Sequence, residues 1–523
     1  MKKLLIAFAC CLLACSTSAL AQGLAITALR YSQTQFGGSA RFQATGGAAT
    51  ALGGDISSAY YNPAGLGFNR KSEFSISPSL AIIGTEGQYM GNTMNDSKVN
   101  PNINHFGVAF AFPSDGKGDF KGGTFAITFT RINNFNENAL YSGRNDRSSI
   151  ADGLLYLANN YNQEKPLGER GITPAQVEDQ FSNGIYDLEV LAINNYVVNP
   201  IRDNFDRATN RYYTDVNQGT FAQRETVRTT GSQNQWNISY GGNYKDLIYF
   251  GAGLGIQTFN YTSQTIFDES QLTVNPIRRL NKPDSVPPVF MNSLTLTENR
   301  TQKGTGFNLN LGLIARPIDF LRLGVSFTSP TWFALTTEYN ANLATTYSNY
   351  IIDGIKLDRT ITGDVLNGVS NLNMTTPLRL NMGIAGIIGK YGFLSFDAEY
   401  VNFRSMSVSA DFNVDKDNQA INENYTSAFN YRGGGELRLS KLRLRAGGAY
   451  YGSPYKVNDQ FFKGRLCITG GVGYYNKKNY FDLTLVQQTS GVSRTVYDLP
   501  GGSPIAGLTT SRTNLVFTAG FYF

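Results

Sequence analysis

Ile248-Tyr249-Phe250-Gly251-Ala252-Gly253-Leu254-Gly255-Ile256 places Ile248, Phe250, Ala252, Leu254 and Ile256 on one side of an extended chain, and Tyr249, Gly251, Gly253 and Gly255 on the other. Side chains of a strand alternate between two faces, so the stretch has one purely apolar face and one that is polar or bare. The same two-residue period recurs down the chain. Phe307, Leu309, Leu311 and Leu313 alternate with Asn308, Asn310 and Gly312, and Leu321, Leu323, Val325 and Phe327 alternate with Arg322, Gly324, Ser326 and Thr328. Leu394, Phe396, Ala398 and Tyr400 oppose Ser395, Asp397 and Glu399, and Phe481, Leu483 and Leu485 oppose Asp482 and Thr484. Strands of this kind, with about 9–11 residues per crossing, mark a transmembrane barrel with its apolar side to lipid and its polar side to the lumen.

A soluble sandwich also alternates, but two features argue against it. Every second joint is tight: Lys245-Asp246, Pro317-Ile318-Asp319, Lys390-Tyr391, Ser440-Lys441 and Asn476-Lys477-Lys478. The other joints read as long, and short turns on one side with long loops on the other is how outer-membrane barrels are built. The chain also closes on alternating Leu515, Phe517, Ala519, Phe521 and Phe523. Candidate crossings begin near Glu73, Ile103, Gly123, Gln235, Leu247, Gly304, Leu321, Pro377, Phe393, Ser427, Lys441, Lys463, Tyr480 and Ser511. The expected fold is therefore all-β, a transmembrane antiparallel barrel of about 14 strands over 73–523.

Composition agrees. Aromatic residues make up 13%, with 34 Phe, 30 Tyr and 55 Gly against 7 Met and one His, which suits an apolar belt with aromatic girdles. After the N-terminus no apolar run is long enough for a transmembrane helix. Lys2 and Lys3 precede an apolar run from Leu4 to Cys15, and Ala19-Leu20-Ala21 offers a cleavage site, so 1–21 reads as a signal peptide and the mature chain starts near Gln22. Leu12-Leu13-Ala14-Cys15 loosely matches a lipobox, but Leu13 is too bulky for its slot. Cys10, Cys11 and Cys15 leave with the signal; Cys467 alone remains, and one thiol builds no disulfide framework or cysteine metal site. With 45 Lys and Arg against 39 Asp and Glu the net charge is +6, or +4 without Lys2 and Lys3, which gives no reason to invoke nucleic acid.

Between signal and first strand lies Gly37-Gly-Ser-Ala-Arg41, then Gly46, Gly47, Ala51-Leu-Gly-Gly-Asp55 and Tyr61-Asn62-Pro63-Ala64-Gly65-Leu66. This is too small-residued and glycine-rich for an ordinary strand or helix. A barrel of this size would leak unless something filled it, so 22–72 is expected to be a plug. Together these motifs resemble the N-terminal hatch of the FadL/TodX family of outer-membrane transport proteins. The likeness is specific over about thirty residues, and elsewhere it is one of architecture. It implies a monomeric fourteen-stranded barrel in a Gram-negative outer membrane that passes long-chain fatty acids or other hydrophobic compounds, such as aromatic hydrocarbons, inward by diffusion. It further implies capture by an extracellular loop groove, passage to an inner pocket, and exit through a wall opening beside a kinked third strand. Gly46, Gly47, Asp55, Asn62, Pro63, Ala64, Gly65 and Leu66 are the hatch and gating candidates. Asn62 and Pro63 also read as a turn, with the Asn side chain capping backbone and Pro fixing φ. Membrane lipid and lipopolysaccharide are the expected surroundings, and no cofactor is expected.

The joint from Asn134 to Gly231 is far longer than a connection needs. Ile150, Leu154, Leu157 and Tyr161 fall at helical spacing. A second helix is expected from Pro174, capped by Thr173, with Val177, Phe181, Leu188 and Leu191 roughly along one stripe. Leu154, Leu157, Phe181, Leu188 and Leu191 therefore either line a capture groove or pack the loop onto the rim. Strand alternation puts Arg322, Arg379, Arg438, Arg443, Arg445, Glu436, Asp397 and Glu399 inside. They read as a carboxylate anchor, or as a mixed-charge network with Arg41, Asp55 and Arg70 of the plug. His105, the one histidine, sits opposite Phe106, Val108 and Phe110 and reads as structural, although a Ser-His-acid lipid hydrolase needs only one. Some chains of related type are described as haemin receptors; one histidine is thin support, though Tyr can ligate haem iron. Reuse as a partner-binding barrel in secretion or surface assembly is a further alternative. No metal-ligand spacing or phosphate-binding glycine loop is present.

Overall fold

The computed structural model describes residues 22–523 except 36, 115–117, 163–164, 167–168, 184–186, 204, 206, 215, 217–218, 272–289, 349, 353–354, 364–365 and 458–463. The chain crosses fourteen times. β1 (Glu73–Tyr89), β2 (Asn92–Pro113) and β3 (Phe120–Asn134, resuming as Glu137–Asn145) are followed by β4 (Phe221–Tyr244), β5 (Ile248–Gln271) and β6 (Phe290–Ile318). β7 (Leu321–Thr328, then Trp332–Ser348) and β8 (Leu366–Thr375, then Arg379–Ile388) are each interrupted once, then come β9 (Gly392–Asn402), β10 (Ser427–Leu439) and β11 (Leu442–Tyr451). β12 (Arg465–Tyr475), β13 (Asn479–Thr495) and β14 (Ile505–Tyr522) complete the series. β1 pairs antiparallel with β2 on one side and with β14 on the other, from Glu73–Tyr522 to Gln88–Gly507. The sheet thus closes on itself, so no strand is left as an outer edge along its whole length.

The outward faces carry the apolar residues read from the sequence. Phe307, Leu309, Leu311, Leu313, Leu394, Phe396, Leu483 and Leu485 are all exposed, while Asn308, Asn310, Asp397, Glu399, Asp482 and Thr484 are buried inside. The interruptions in β7 and β8 fall at Pro330 and Pro377, which lack the N–H a central ladder needs. There Thr331 and Thr376 replace the lost bonds: the Thr376 N–H donates to the Thr331 carbonyl (3.0 Å) and the Thr331 N–H to Thr376 Oγ1 (3.0 Å).

Two expectations are corrected. β2, β4, β6 and β8 begin at Asn92, Phe221, Phe290 and Leu366, not near Ile103, Gln235, Gly304 and Pro377. β6 runs for 29 residues, about three times the length a crossing requires. Its upper outward face is Ser293, Thr295, Thr297, Asn299 and Thr301, because a strand that has left the lipid needs no apolar side and its alternation fades. For the same reason the first loop-end joint is not long. β1 and β2 continue to a two-residue turn, Met90-Gly91, with both φ positive as the right-handed twist of a hairpin requires.

The tall strands β4–β8 carry the 146–220 loop on their inner side. It contains α4 (Ile150–Asn159), α5 (Pro174–Asn183) and α6 (Leu188–Asn194). Ser149 and Asp152 form a capping box on α4. On α5 the Gln176 N–H donates to Thr173 Oγ1 (3.2 Å) while the Thr173 N–H donates to Gln176 Oε1 (2.9 Å). The single helix expected from Pro174 is in fact two, so Leu188 and Leu191 belong to α6, apart from Val177 and Phe181.

Candidate transport site

The segment before β1 fills the ring from wall to wall. It folds as α1 (Gln22–Ser32), α2 (Ala40–Ala44), α3 (Ser58–Tyr61) and a 3-10 turn over Pro63–Phe68. Small residues let its backbone lie against the strands themselves. Gly241, Gly251, Gly312, Gly324, Gly383 and Gly447 sit on six different strands, and a Cβ on any of them would come closer than 3.0 Å to residues 45–67. Gly46 (φ +67) is pressed equally hard from the plug side: its Cβ would lie 2.6 Å from the Gly448 carbonyl oxygen and 2.7 Å from that of Gly433. These wall glycines were visible in the sequence as the bare positions of the polar face, a signal that a second chain lies against it.

Asn62 ties the plug together as a cap. Its Oδ1 accepts the Ala64 N–H (3.1 Å), and its Nδ2 donates to the Thr50 carbonyl (2.7 Å) and, across to β7, to that of Val325 (3.4 Å). Pro63 occupies the first position of the 3-10 turn, where a missing N–H costs nothing. Ala64, Gly65 and Leu66 are buried, and Leu66 packs with Ile56, Ala59, Ala109 and Ala126. Asp55 accepts bonds from Ser39 Oγ (2.9 Å) and the Ser57 N–H (2.9 Å). Gly47 (φ +76) completes the turn after α2.

Charges hold this plug to the wall. Arg41 stands 3.9 Å from Asp55 and 3.7 Å from Glu436, and Glu436 is bonded in turn by Arg438 and Arg445 (2.7 Å each). Asp397 accepts both the Thr50 N–H (2.9 Å) and its hydroxyl (2.7 Å), Arg322 donates to the Leu52 carbonyl, and Arg379 to that of Ser32. Of the charges assigned to this network, Arg70 lies elsewhere: it pairs with Asp246 (2.6 Å) in an exposed turn. Arg443 also stays at the mouth, donating to the Ser440 and Leu442 carbonyls.

Above the plug α1 leans on the strands. Tyr31 stacks on Phe259 (ring centroids 4.0 Å apart) and donates to Gln302 (2.9 Å). Its other end reaches the loop between β9 and β10, where the Leu24 N–H donates to Asp417 (3.1 Å) on α7 (Asp415–Asn424). Beside α1 lies a cavity of about 470 Å³ lined by Ile26, Leu29, Arg30, Phe135, Tyr261 and Leu508, among others from β3, β4, β13 and β14. Four arginines enter it. Arg512 donates to Gln35 (2.5 Å) and faces Glu137 at 3.7 Å, and Arg494 donates to Glu225 (2.8 Å). Arg30 lies over the Tyr261 ring (4.2 Å), and Arg465 over that of Tyr451 (4.5 Å) while donating to the Thr34 carbonyl (2.9 Å). Arg30 and Arg465 have no carboxylate partner among the described residues, so the cavity, lined by apolar and polar residues together, has a positive side. Below it lies a polar void of only about 40 Å³, lined by Tyr60, Gln233, Arg379 and Glu399 among others.

The cavity meets the wall where β3 breaks. The β2–β3 ladder ends at His105–Thr130; beyond it β2 pairs with β1 alone, and β3 kinks at Phe135-Asn136 and runs on beside β4. Only side chains stitch the space between: Asn134 Nδ2 donates to Asn100 Oδ1 (3.1 Å), Lys98 Nζ to the Thr229 carbonyl (2.8 Å) and Asn92 Nδ2 to that of Ser142 (3.3 Å). Asn133, Asn134, Phe135, Glu137 and Ala139, the residues at and around the kink, line the cavity. His105 is wholly buried at the foot of this gap with Nδ1 against Thr130 Oγ1 (3.2 Å).

The loop candidates are placed differently. Leu154 and Leu191 are buried in a cluster with Phe267, Met291, Leu294 and Leu343 of the tall strands, and Leu157 and Leu188 pack half-buried against it. Phe181 is on α5, and its side chain lies outside the described residues. Leu154, Leu157, Leu188 and Leu191 do not line the cavity.

A closed apolar-belted ring, a plug lodged against its wall and a side pocket at a kinked strand define a plugged β-barrel of the membrane type. The fold is that of the FadL/TodX outer-membrane channels. The chain is similar to a Pseudomonas aeruginosa FadL homologue (13% identity, TM-score 0.54, covering 93% of this chain and 99% of that one). It is similar to the same degree to the P. putida toluene transporter TodX (13% identity, TM-score 0.52, 93% and 99%). No family profile and no curated protein matches the sequence.

Proposed function

We propose that the protein is an outer-membrane channel for diffusive uptake of hydrophobic compounds, long-chain fatty acids or aromatic hydrocarbons, into a Gram-negative cell. The observation that carries this reading is the 470 Å³ cavity at the break in the β2–β3 ladder. It has the size and largely apolar lining of a small-molecule site. The plug fills the lumen beneath it, so the way out is sideways, through the wall where no backbone ladder bond has to break, into lipid. A hydrophobic solute crosses lipid readily and is stopped by a polar lipopolysaccharide coat, so such a route needs no energy source. The unpaired Arg30 and Arg465 favour a solute with a carboxylate end over a neutral one, since guanidinium groups match carboxylates. In this reading Gly46, Gly47, Asp55 and Asn62–Leu66 fix the plug as an anchor, while the helices carrying Leu154, Leu157, Phe181, Leu188 and Leu191 shape the outer entrance.

The test is to lock the gap. Asn100→Cys with Asn134→Cys replaces a 3.1 Å hydrogen bond across the break by a disulfide. Oleate and toluene uptake by cells carrying this variant is expected to fall at least tenfold when oxidised and to recover with reductant. Undiminished uptake in the oxidised form overturns the sideways route, and unchanged uptake on removing the whole protein overturns transport.

A further inference from the structure

The five short turns after β4, β6, β8, β10 and β12 divide by charge. In the first two, and in the β2–β3 connection beside them, cations are matched: Lys245 with Asp119 (3.0 Å), Arg70 with Asp246 (2.6 Å) and Arg316 with Asp319 (2.7 Å). The other three are Gly389-Lys390-Tyr391, Ser440-Lys441 and Asn476-Lys477-Lys478, which contain four lysines and no acidic residue. Lys390 and Lys441 are exposed and have no carboxylate partner among the described residues.

Directly beside these two lysines the lipid-facing wall is hollowed. A groove of about 540 Å³ is lined by Ile388, Tyr391, Leu394, Gly435, Leu437 and Leu444, all on β8–β11 or the β8–β9 turn, and Lys390 lies between two of them. The register sets Leu394 opposite Gly435, and the β10–β11 turn that carries Lys441 joins Leu439 to Leu442. The groove is apolar and outward, and its end is closed by cations. Lys390 Nζ stands 5.5 Å over the Tyr391 ring, the posture of a lysine at a membrane interface with its stem along apolar surface.

We propose that this groove and the Lys390–Lys441 pair form a binding site for one anionic phospholipid of the periplasmic leaflet, its acyl chain along Leu394, Leu437 and Leu444 and its phosphate between the two lysines. The site rests on the ring being embedded with its short turns facing the periplasm, and not on what the channel carries. Charge complementarity selects the occupant: a zwitterionic lipid gains little from two unmatched cations, whereas each lysine near a surface is worth about a fivefold gain for an anionic one. On the opposite arc the carboxylates of Asp119, Asp246 and Asp319 remove that gain.

The test is native mass spectrometry of the delipidated full-length protein with dioleoyl phosphatidylglycerol or phosphatidylethanolamine added. One tightly retained phosphatidylglycerol is expected. Its affinity should fall about 25-fold in Lys390→Ala/Lys441→Ala, change less than twofold in Lys477→Ala/Lys478→Ala, and be lost in Gly435→Leu, which fills the groove and leaves the charges. Equal retention of the two lipids overturns the site. So does equal loss in the two lysine pairs, which makes the effect a diffuse field, or no loss in Gly435→Leu. Binding of polyglutamate that phosphatidylglycerol cannot displace makes the arc a protein dock and overturns it also. Uptake of oleate and toluene is measured on the same variants, so failure of the lipid site stays distinct from failure of transport.

Discussion

At the scale of single residues the plug is held by what is missing. Gly447 has no side chain because Thr45 and Gly46 occupy that space. Gly447→Val is expected to destabilise the folded barrel by about 1–3 kcal/mol through overpacking and to loosen the plug, seen as new ion conductance in planar bilayers. Gly386 is the control: on the lipid side of β8 nothing lies within 4 Å of its Cβ position, and Gly386→Val should leave conductance unchanged. Conductance that does not distinguish the two would remove the wall glycines from the account of sealing. Asn62 was legible in the sequence as turn and cap chemistry, and Asp55 as a charge of the plug. Arg30 and Arg465 were not, because their importance comes from lacking a partner, and absence of a partner is a property of three-dimensional neighbours.

At the scale of elements, the loop helices carry a pH sensitivity. Glu189 on α6 is buried beside Asp187, and desolvation followed by that charge pushes its carboxyl up to about 7 from a usual value near 4.5. An acid whose folded-state pKa is raised binds more protons folded than unfolded between those values, so stability falls as pH rises. Amide exchange in α6 is expected to quicken between pH 5 and 7 beyond the intrinsic chemical rate, and Glu189→Gln should flatten that trend. A pH-independent opening of α6 would contradict it. Elements were readable wherever lipid enforced alternation: the belts of β5, β6, β9 and β13 lie where the period of two put them. Their upper halves were not, since outside the membrane Ser, Thr and Asn serve on either face. The break between α5 and α6 was hidden for a related reason, because an apolar stripe does not record where a helix stops.

At the scale of the whole molecule, fourteen strands enclose a space that the described residues of 22–68 fill at the level of the apolar belt. A variant lacking that segment is expected to form the ring, judged by heat-modifiable migration, and to conduct ions like an open porin. A ring that forms and stays closed would show that the loops seal it instead. The number of crossings followed from sequence because each leaves its own apolar stripe. The gap beside β3 was expected only through the family resemblance, since a ladder that ends leaves its strands' alternation intact.

The order of the chain couples closure to filling. The ring is complete only when β1 meets β14, and β1 begins five residues after the 3-10 turn of the plug ends. The N-terminal strand therefore arrives at the seam already tethered to its stopper, whose far tip is tied to Asp417 near the opposite rim. Closure of the ring and delivery of its stopper are thus covalently linked: the strand that seals the seam carries the filling at its own N-terminal end, and the stopper has only a few residues of slack between itself and the seam.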